Sequence, residues 1–457
     1  MTYSSLPFIY IFLPLSLAVY LAVPKKLKDM ALYLESLVFC GFMGIKLMAF
    51  MVVYCLVNYI SGLSVYYIRP KLKSIPLAVG ILFDVIMLIS FRHSYFAYLH
   101  GFTRLSDAVF PVGISLFTLS AIGYLADIYK GHSKADKNFI RFSLYIMMFQ
   151  RLIMGTIVSY DTYVHTLKKR RINITELGSG LICFIKGLAK KVIIADSLFV
   201  LNSAVRSTSI QELSAAGAWL GILAYVLCLY FTLSGFSDMS VGLCRCFGMK
   251  FSGSFNYPLF GSKIRVFVSG WHIQVLHWFR KYITSPLSSK TDNPYLSKLV
   301  FVMVWMLAGI WYGFSTGGAV WGMLMGIAVL AENKLNNRKR AKPNGIIYSM
   351  LSITLMMVFL SQGSISRGLG YLWVMFGGNG NLADSAAAYM LRYYIVILLI
   401  AVYASTDLFR NTIARIKDMR FGRIISAATP AVVTAMLIIC TSLMAYSGQS
   451  DTMIIRL

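Results

Sequence analysis

The chain has 457 residues, 58% hydrophobic and 13% charged, where soluble domains carry roughly 25% charged residues. A soluble globular protein is thereby excluded and an integral membrane protein indicated. The 43 Lys+Arg against 17 Asp+Glu give a net charge of +26, but this excess collects in short loops between apolar runs, which points to a lipid bilayer and away from a nucleic-acid partner.

A membrane-crossing helix needs about 20 predominantly apolar residues. In chain order the candidate spans fall at 6–23, 30–62, 75–91, 109–128, 142–159, 178–200, 214–235, 298–312, 317–332, 346–362, 387–405 and 424–447. The first run has its positive charges after it and no small-residue cleavage site, so it reads as a retained span and not a signal peptide. The run from Met30 to Ile60 lies between PKKLK (24–28) and RPKLK (69–73) and is long enough to cross twice. A hairpin there keeps both basic loops cytoplasmic and puts the N-terminus outside. Between the basic clusters at 130–141 and 167–171 the same rule requires an even number of crossings, so the single run at 142–159 predicts a re-entrant or in-plane helix.

Ser237 to Ser289 is hydropathically mixed and interrupted by Gly235, Gly242, Gly248, Gly253, Gly261 and Gly270. Broken backbone at membrane depth is tolerated only around protein or a water-filled cavity, so this segment predicts a cavity wall. NNRKRAK (336–342) and the basic scatter from Arg410 to Arg423 complete the cytoplasmic loops. With no internal repeat, linker or soluble domain, one membrane domain covers 1–457: peripheral helices over 1–80, a core over 80–380 and C-terminal helices over 387–457. The predicted class is all-α and multi-pass, with about 10–12 transmembrane helices plus re-entrant or in-plane helices.

Ionisable side chains inside membrane segments are costly and are functional candidates by default. Asp84 in GILFDVIMLISF reads equally as a helix-packing hydrogen bond or as a functional group. Lys186, Lys190 and Lys191 in FIKGLAKKVIIAD are read as snorkelling or helix-edge residues, with contact to an anionic ligand as the alternative, and Asp238 in LSGFSDMSVG as a site candidate. The densest polar segment is GWHIQVLHWFRKYI (270–283), with His272, His277 and Arg280. The two histidines stand five apart, about 140° around a helix, which does not suit an i, i+4 metal pair, and no third ligand is near, so no metal is expected. Trp271 and Trp278, seven apart, are expected to form one ligand-lining face, whereas Trp321 is expected in an interfacial belt. The seven cysteines mostly lie in apolar runs with no CxxC pair and read as small core residues. GxSxG, Walker, GxGxxG and HExxH patterns are absent. Residue chemistry alone thus reaches a multi-span protein with a His- and Trp-lined polar centre, which fits an enzyme or a transporter.

Five segments together resemble the membrane-bound O-acyltransferase family, in its bacterial polysaccharide branch. They are FPVGISLFTLSAIGYLADIYKG (110–131), GLAKKVIIAD (187–196), LSGFSDMSVGLCRCFGMKF with SFNYP (233–258), WHIQVLHWFRKYI (271–283) and GIWYGFSTGGAVWGMLMG (309–326). The resemblance implies helices around a central funnel in the plasma membrane of a bacterium. It further implies an acyl thioester donor such as acetyl-CoA on the cytoplasmic side, no bound cofactor, and O-acylation of an exported cell-surface polysaccharide. An extracytoplasmic SGNH-type acyltransferase and polysaccharide-synthesis proteins are the implied partners. His272 matches the family's Trp-His pair; with it, His277 and Tyr312 are the candidates for catalysis, and Trp271, Trp278, Arg280, Asp238, Asn256 and Trp311 those for substrate binding.

The departure from the family pattern is at Trp311-Tyr312-Gly313, where the family has Trp-His-Gly. Tyrosine has an unperturbed pKa near 10 against about 6.5 for histidine, so it donates a hydrogen bond where a general base is expected. Phe231-Thr232-Leu233 and Leu360-Ser361-Gln362 also depart from the branch pattern. Three accounts stay open: an acyltransferase in which His272 or His277 takes over as base, a catalytically inactive scaffold or conduit of an envelope-polysaccharide assembly, and an engineered Tyr312.

Overall fold

The computed structural model describes residues 1–99, 113–289, 292–337, 345–408, 411–412, 415 and 422–447. Residues 109–112 of the fourth predicted span, most of NNRKRAK and of the scatter from Arg410 to Arg423, and the C-terminal Met453–Leu457 lie outside them. The described residues are helical, with no strand among them. Six helices are long and apolar enough to cross a membrane: Ile45–Tyr67, Pro70–Arg92, Ala215–Cys246, Pro294–Gly313, Ser385–Ala404 and Ala428–Tyr446. Three shorter apolar helices, Phe8–Ala22, Ile114–Tyr129 and Ile346–Gln362, accompany them.

The all-α multi-pass class is met, but several predicted spans are shortened or broken for local reasons. The run at 30–62 divides at Gly44 into α1 (Lys28–Met43) and α2 (Ile45–Tyr67), which pack on each other. The run at 142–159 is no span: Phe139–Met147 and Phe149–Leu152 are short, buried helices followed by irregular chain. The glycine-rich stretch begins to break only after Cys246, because Gly235 and Gly242 lie inside a helix, where Gly242 admits the close approach of Gly180 and Phe184.

The chain divides into two compact units: 1–188 with 236–253 and 444–456, and 189–235 with 254–443 and 457. The first has an aromatic core of Tyr3, Phe8, Phe12, Phe39 and Phe149, with Phe12 edge-on to Phe149 at 5.1 Å. Asp84 accepts a 2.8 Å hydrogen bond from the Asn58 amide, which favours its helix-packing reading over a functional one. Arg151 is buried with Tyr145, Tyr163 and Phe251 rings at 5.8, 5.5 and 5.0 Å from its guanidinium.

The second unit is organised around two antiparallel-connected helices, α3 (Pro294–Gly313) and α4 (Thr316–Asn337). They touch at glycines: a Cβ at Gly309 would lie 2.1 Å from the Gly318 carbonyl, and one at Gly322 would lie 2.2 Å from the Trp305 carbonyl. Small residues let helix backbones approach this closely. Lys191 is buried and ion-paired with Asp196, and Lys190 donates to Ser234 Oγ at 2.9 Å, so these two lysines hold structure where the sequence had them snorkelling.

Candidate active site

Two short helices carry the polar segment: α5 (Ile264–Gly270) and α6 (Ile273–Phe279). Between them Trp271 and His272 leave the helical path, and His272 takes φ 44°, ψ 52°. This conformation is imposed by an extended neighbour. Asn256 N–H donates to the Gly270 carbonyl at 2.9 Å, and Ile273 N–H donates to the Ser254 carbonyl at 2.8 Å, so residues 254–256 grip the turn on both sides. Gly270 is required there, because a Cβ would stand 2.7 Å from the Asn256 carbonyl oxygen. Phe255, between the two gripping residues, stacks on the His272 ring at 5.3 Å and 24°.

The second half of the site comes from the end of α3. Tyr312 is buried, and its hydroxyl lies 2.7 Å from His272 Nδ1. Phe314, just past the helix end, also adopts a left-handed conformation (φ 44°). Among the described residues, the non-glycine positions with positive φ are Tyr257, His272 and Phe314, all in segments that build this site. Such conformations persist only where surroundings over-determine them, and they gather at functional sites. The tight α3–α4 crossing brings the Trp321 ring to 5.4 Å from Tyr312. On α4, the buried Glu332 accepts from Ile264 N–H at 2.8 Å and Arg265 N–H at 3.1 Å. That carboxylate caps α5 and ties the His272 arm to the helix pair that carries Tyr312.

The centre is polar but dry. His272 is 3% exposed. The indole N–H of Trp321 is buried without a protein acceptor, a state native structures rarely leave unexplained, whereas that of Trp271 is directed at the Tyr312 hydroxyl. The Trp321 donor lies beside the His272–Tyr312 pair and is suited to an oxygen of a bound substrate.

The other predicted residues are distributed around this centre. Trp311 is half-buried with its ring 6.1 Å from His272. Asn256 contributes its backbone to the grip, and its side chain is exposed. Trp271 and Trp278 do not form one helical face, because the chain turns between them. Trp271 packs on Tyr230, Phe255 and Phe267, whereas Trp278 packs on Phe279 and Tyr282. His277 and Arg280 project from the exposed side of α6 into a separate cavity, and His277 makes no hydrogen bond or ring contact with His272 or Tyr312. Asp238 belongs to the other unit, where its carbonyl accepts from Cys183 Sγ at 3.4 Å. Trp321 is 1% exposed, so the interfacial belt expected of it is overturned. Phe255, Trp321 and Glu332 were not singled out from sequence as site residues. SFNYP (254–258) contains Phe255, and its position just before the polar segment was the available signal.

The sequence model of the membrane-bound O-acyltransferase family matches residues 32–341. A probable alginate O-acetylase of Azotobacter vinelandii is 27% identical over 417 residues, 88% of this chain and 83% of that protein. A peptidoglycan O-acetyltransferase of Helicobacter pylori is 27% identical, covering 84% of this chain and 82% of the relative. A teichoic acid D-alanyltransferase of Bacillus subtilis is 22% identical, covering 55% and 67%.

Proposed function

The chain belongs to the membrane-bound O-acyltransferase family, and on that premise we propose that it moves an acetyl group from a cytoplasmic thioester donor to a hydroxyl of an exported cell-surface polysaccharide. The alginate and peptidoglycan relatives, named for O-acetyl transfer, favour acetyl over the D-alanyl of the teichoic acid relative. In this reading acetyl-CoA is the donor, the membrane is the bacterial plasma membrane, and the N-terminus is extracytoplasmic. An SGNH-type acyltransferase and polysaccharide-synthesis proteins work beside it outside the bilayer.

The observation that carries the reading is the buried His272–Tyr312 hydrogen bond of 2.7 Å. The acceptor hydroxyl passes its proton to His272 Nε2 while its oxygen bonds to the thioester carbonyl carbon. The tetrahedral intermediate then breaks its C–S bond, and the leaving thiolate takes the proton back from the imidazolium, giving an ester and a free thiol. For Nε2 to accept, Nδ1 must carry the ring proton and donate it to Tyr312 Oη. That sets the tautomer and leaves the phenolic proton for a substrate oxygen. Tyr312, with the high pKa of a phenol, serves here as orienter and donor and not as base. In this reading the Trp321 indole donates to the carbonyl oxygen as it gains charge.

The test is thioester cleavage by purified protein supplied with acetyl-CoA, paired with mass spectrometry of surface-polymer acylation in cells with and without the gene. The expected result is turnover that His272→Ala lowers by at least about tenfold and acyl groups that vanish with the gene. No turnover by the wild-type protein, with a gain on Tyr312→His, overturns it in favour of an inactive scaffold or conduit.

A further inference from the structure

A cavity of about 840 Å³ lies in the second unit, walled by α5, α6, the chain to Ser288, α3 and Val329 of α4. Its lining is of two kinds. Ile273, Leu276, Phe301, Val304 and Trp305 are apolar, whereas Lys263, Arg265, His277 and Arg280 carry basic groups beside the hydroxyls of Ser269 and Thr284. None of its described lining residues is acidic. The nearby Glu332 directs its carboxylate to the backbone of Ile264 and Arg265.

The cavity sits next to lipid-facing surface. On α3, Leu296, Leu299, Met303 and Leu307 recur at helical spacing and are between 44% and 56% exposed, as expected of the outer stripe of a membrane-crossing helix. Phe301, Val304 and Trp305 form the adjoining stripe and line the cavity. The described chain from 263 to 298 carries Lys263, Arg265, Arg280, Lys281 and Lys298 against the one acid Asp292, the balance expected of a cytoplasmic headgroup layer.

We propose that this cavity binds an anionic phospholipid, with an acyl chain along α3 and the phosphodiester held by Arg265, Arg280 and Lys263. Basic pockets between membrane helices on the cytoplasmic side suit such headgroups. A free phosphate would leave the apolar wall bare, and a zwitterionic headgroup would bring a second positive charge among the cations. The lipid rests on α6 and α3, the same two helices that adjoin His272 and carry Tyr312. It is therefore positioned to couple membrane composition to the geometry of that pair.

The test reads binding alone, so its outcome is separable from whether acetyl transfer occurs. Delipidated full-length protein is titrated with brominated phosphatidylglycerol or brominated phosphatidylcholine while tryptophan emission is followed, Trp305 being in the cavity wall. The expected result is half-maximal quenching by phosphatidylglycerol at a concentration lower by at least about tenfold. Arg265→Gln/Arg280→Gln removes that preference, Arg265→Lys/Arg280→Lys keeps it, and excess coenzyme A leaves the quenching intact. Equal quenching by the two lipids, an unchanged preference in the Gln pair, or displacement by coenzyme A, which would mark the cavity as a nucleotide-phosphate site, each overturns the proposal.

Discussion

Each unit holds a buried polar cluster, and the two are finished in opposite ways. In the first unit Asp136 accepts from Arg141 Nε at 2.5 Å, Arg141 Nη2 at 2.6 Å, Asn138 N–H at 2.8 Å and the Tyr160 hydroxyl. Its own N–H donates to Tyr124 Oη at 3.2 Å. Burial alone would raise this carboxyl, but the hydrogen bonds from Arg141, Tyr160 and Asn138 outweigh it and hold it below the usual carboxylate range. In the second unit the His272–Tyr312 pair carries no charge partner, has His272 on strained backbone and lies beside the Trp321 indole, which no protein group accepts from. A saturated network stabilises the fold, and an unsaturated one is maintained against stability, which is what a substrate site requires.

The sharpest way to break this contrast is to empty each cluster in turn. His272→Ala is expected to lower the turnover number by about 10²- to 10⁴-fold while the melting temperature in detergent stays close to wild type, measured by acetyl-CoA turnover and thermal unfolding. Asp136→Ala should do the reverse. It strands the buried Tyr160 hydroxyl and unpairs the part-exposed Arg141, and should destabilise by about 1–3 kcal/mol, with turnover of the folded fraction unchanged. A thiol-reactive dye suits this measurement, because most of the cysteines are buried and report unfolding.

The pH dependence of that effect has a defined sign. A carboxyl with a depressed folded pKa contributes stability that is present above its unfolded pKa, near 3.9, and is lost as pH falls through the lower folded value. The gap in melting temperature between wild type and Asp136→Asn should therefore be constant from pH 6 to 8 and shrink below about pH 4. Smaller effects refine the second cluster. Tyr312→Phe removes the hydroxyl that fixes the imidazole tautomer, and a fall in turnover of about 10- to 100-fold is expected. Trp321→Phe removes a donor with no protein partner, so turnover should fall by about 3- to 10-fold, beyond the modest stability loss expected of a smaller buried ring.

The membrane class, the positions of most helices and the broken stretch around Gly270 were legible because they follow from apolar run length and from where lysine and arginine fall. The failure of 142–159 to span was legible for the same reason. The site was legible only in outline. His272 and Tyr312 stand forty residues apart, and their pairing depends on the 254–256 grip and on the glycine crossing of α3 and α4, which no local period encodes. The face shared by Trp271 and Trp278 failed because helical spacing was carried through a residue whose φ is positive. Trp321 resembled a belt tryptophan because sequence position does not distinguish an outward ring from one packed on Tyr312.

The most direct test of the account is a double-mutant cycle on the pair, with acetyl transfer measured in wild type, His272→Ala, Tyr312→Phe and the double variant. If Tyr312 acts largely through His272, Tyr312→Phe costs much less in the His272→Ala background than in wild type, and the remainder measures its donation to the substrate oxygen. Additive losses would contradict the account, since they would mean that the two side chains contribute independently and the 2.7 Å hydrogen bond is not what carries the chemistry.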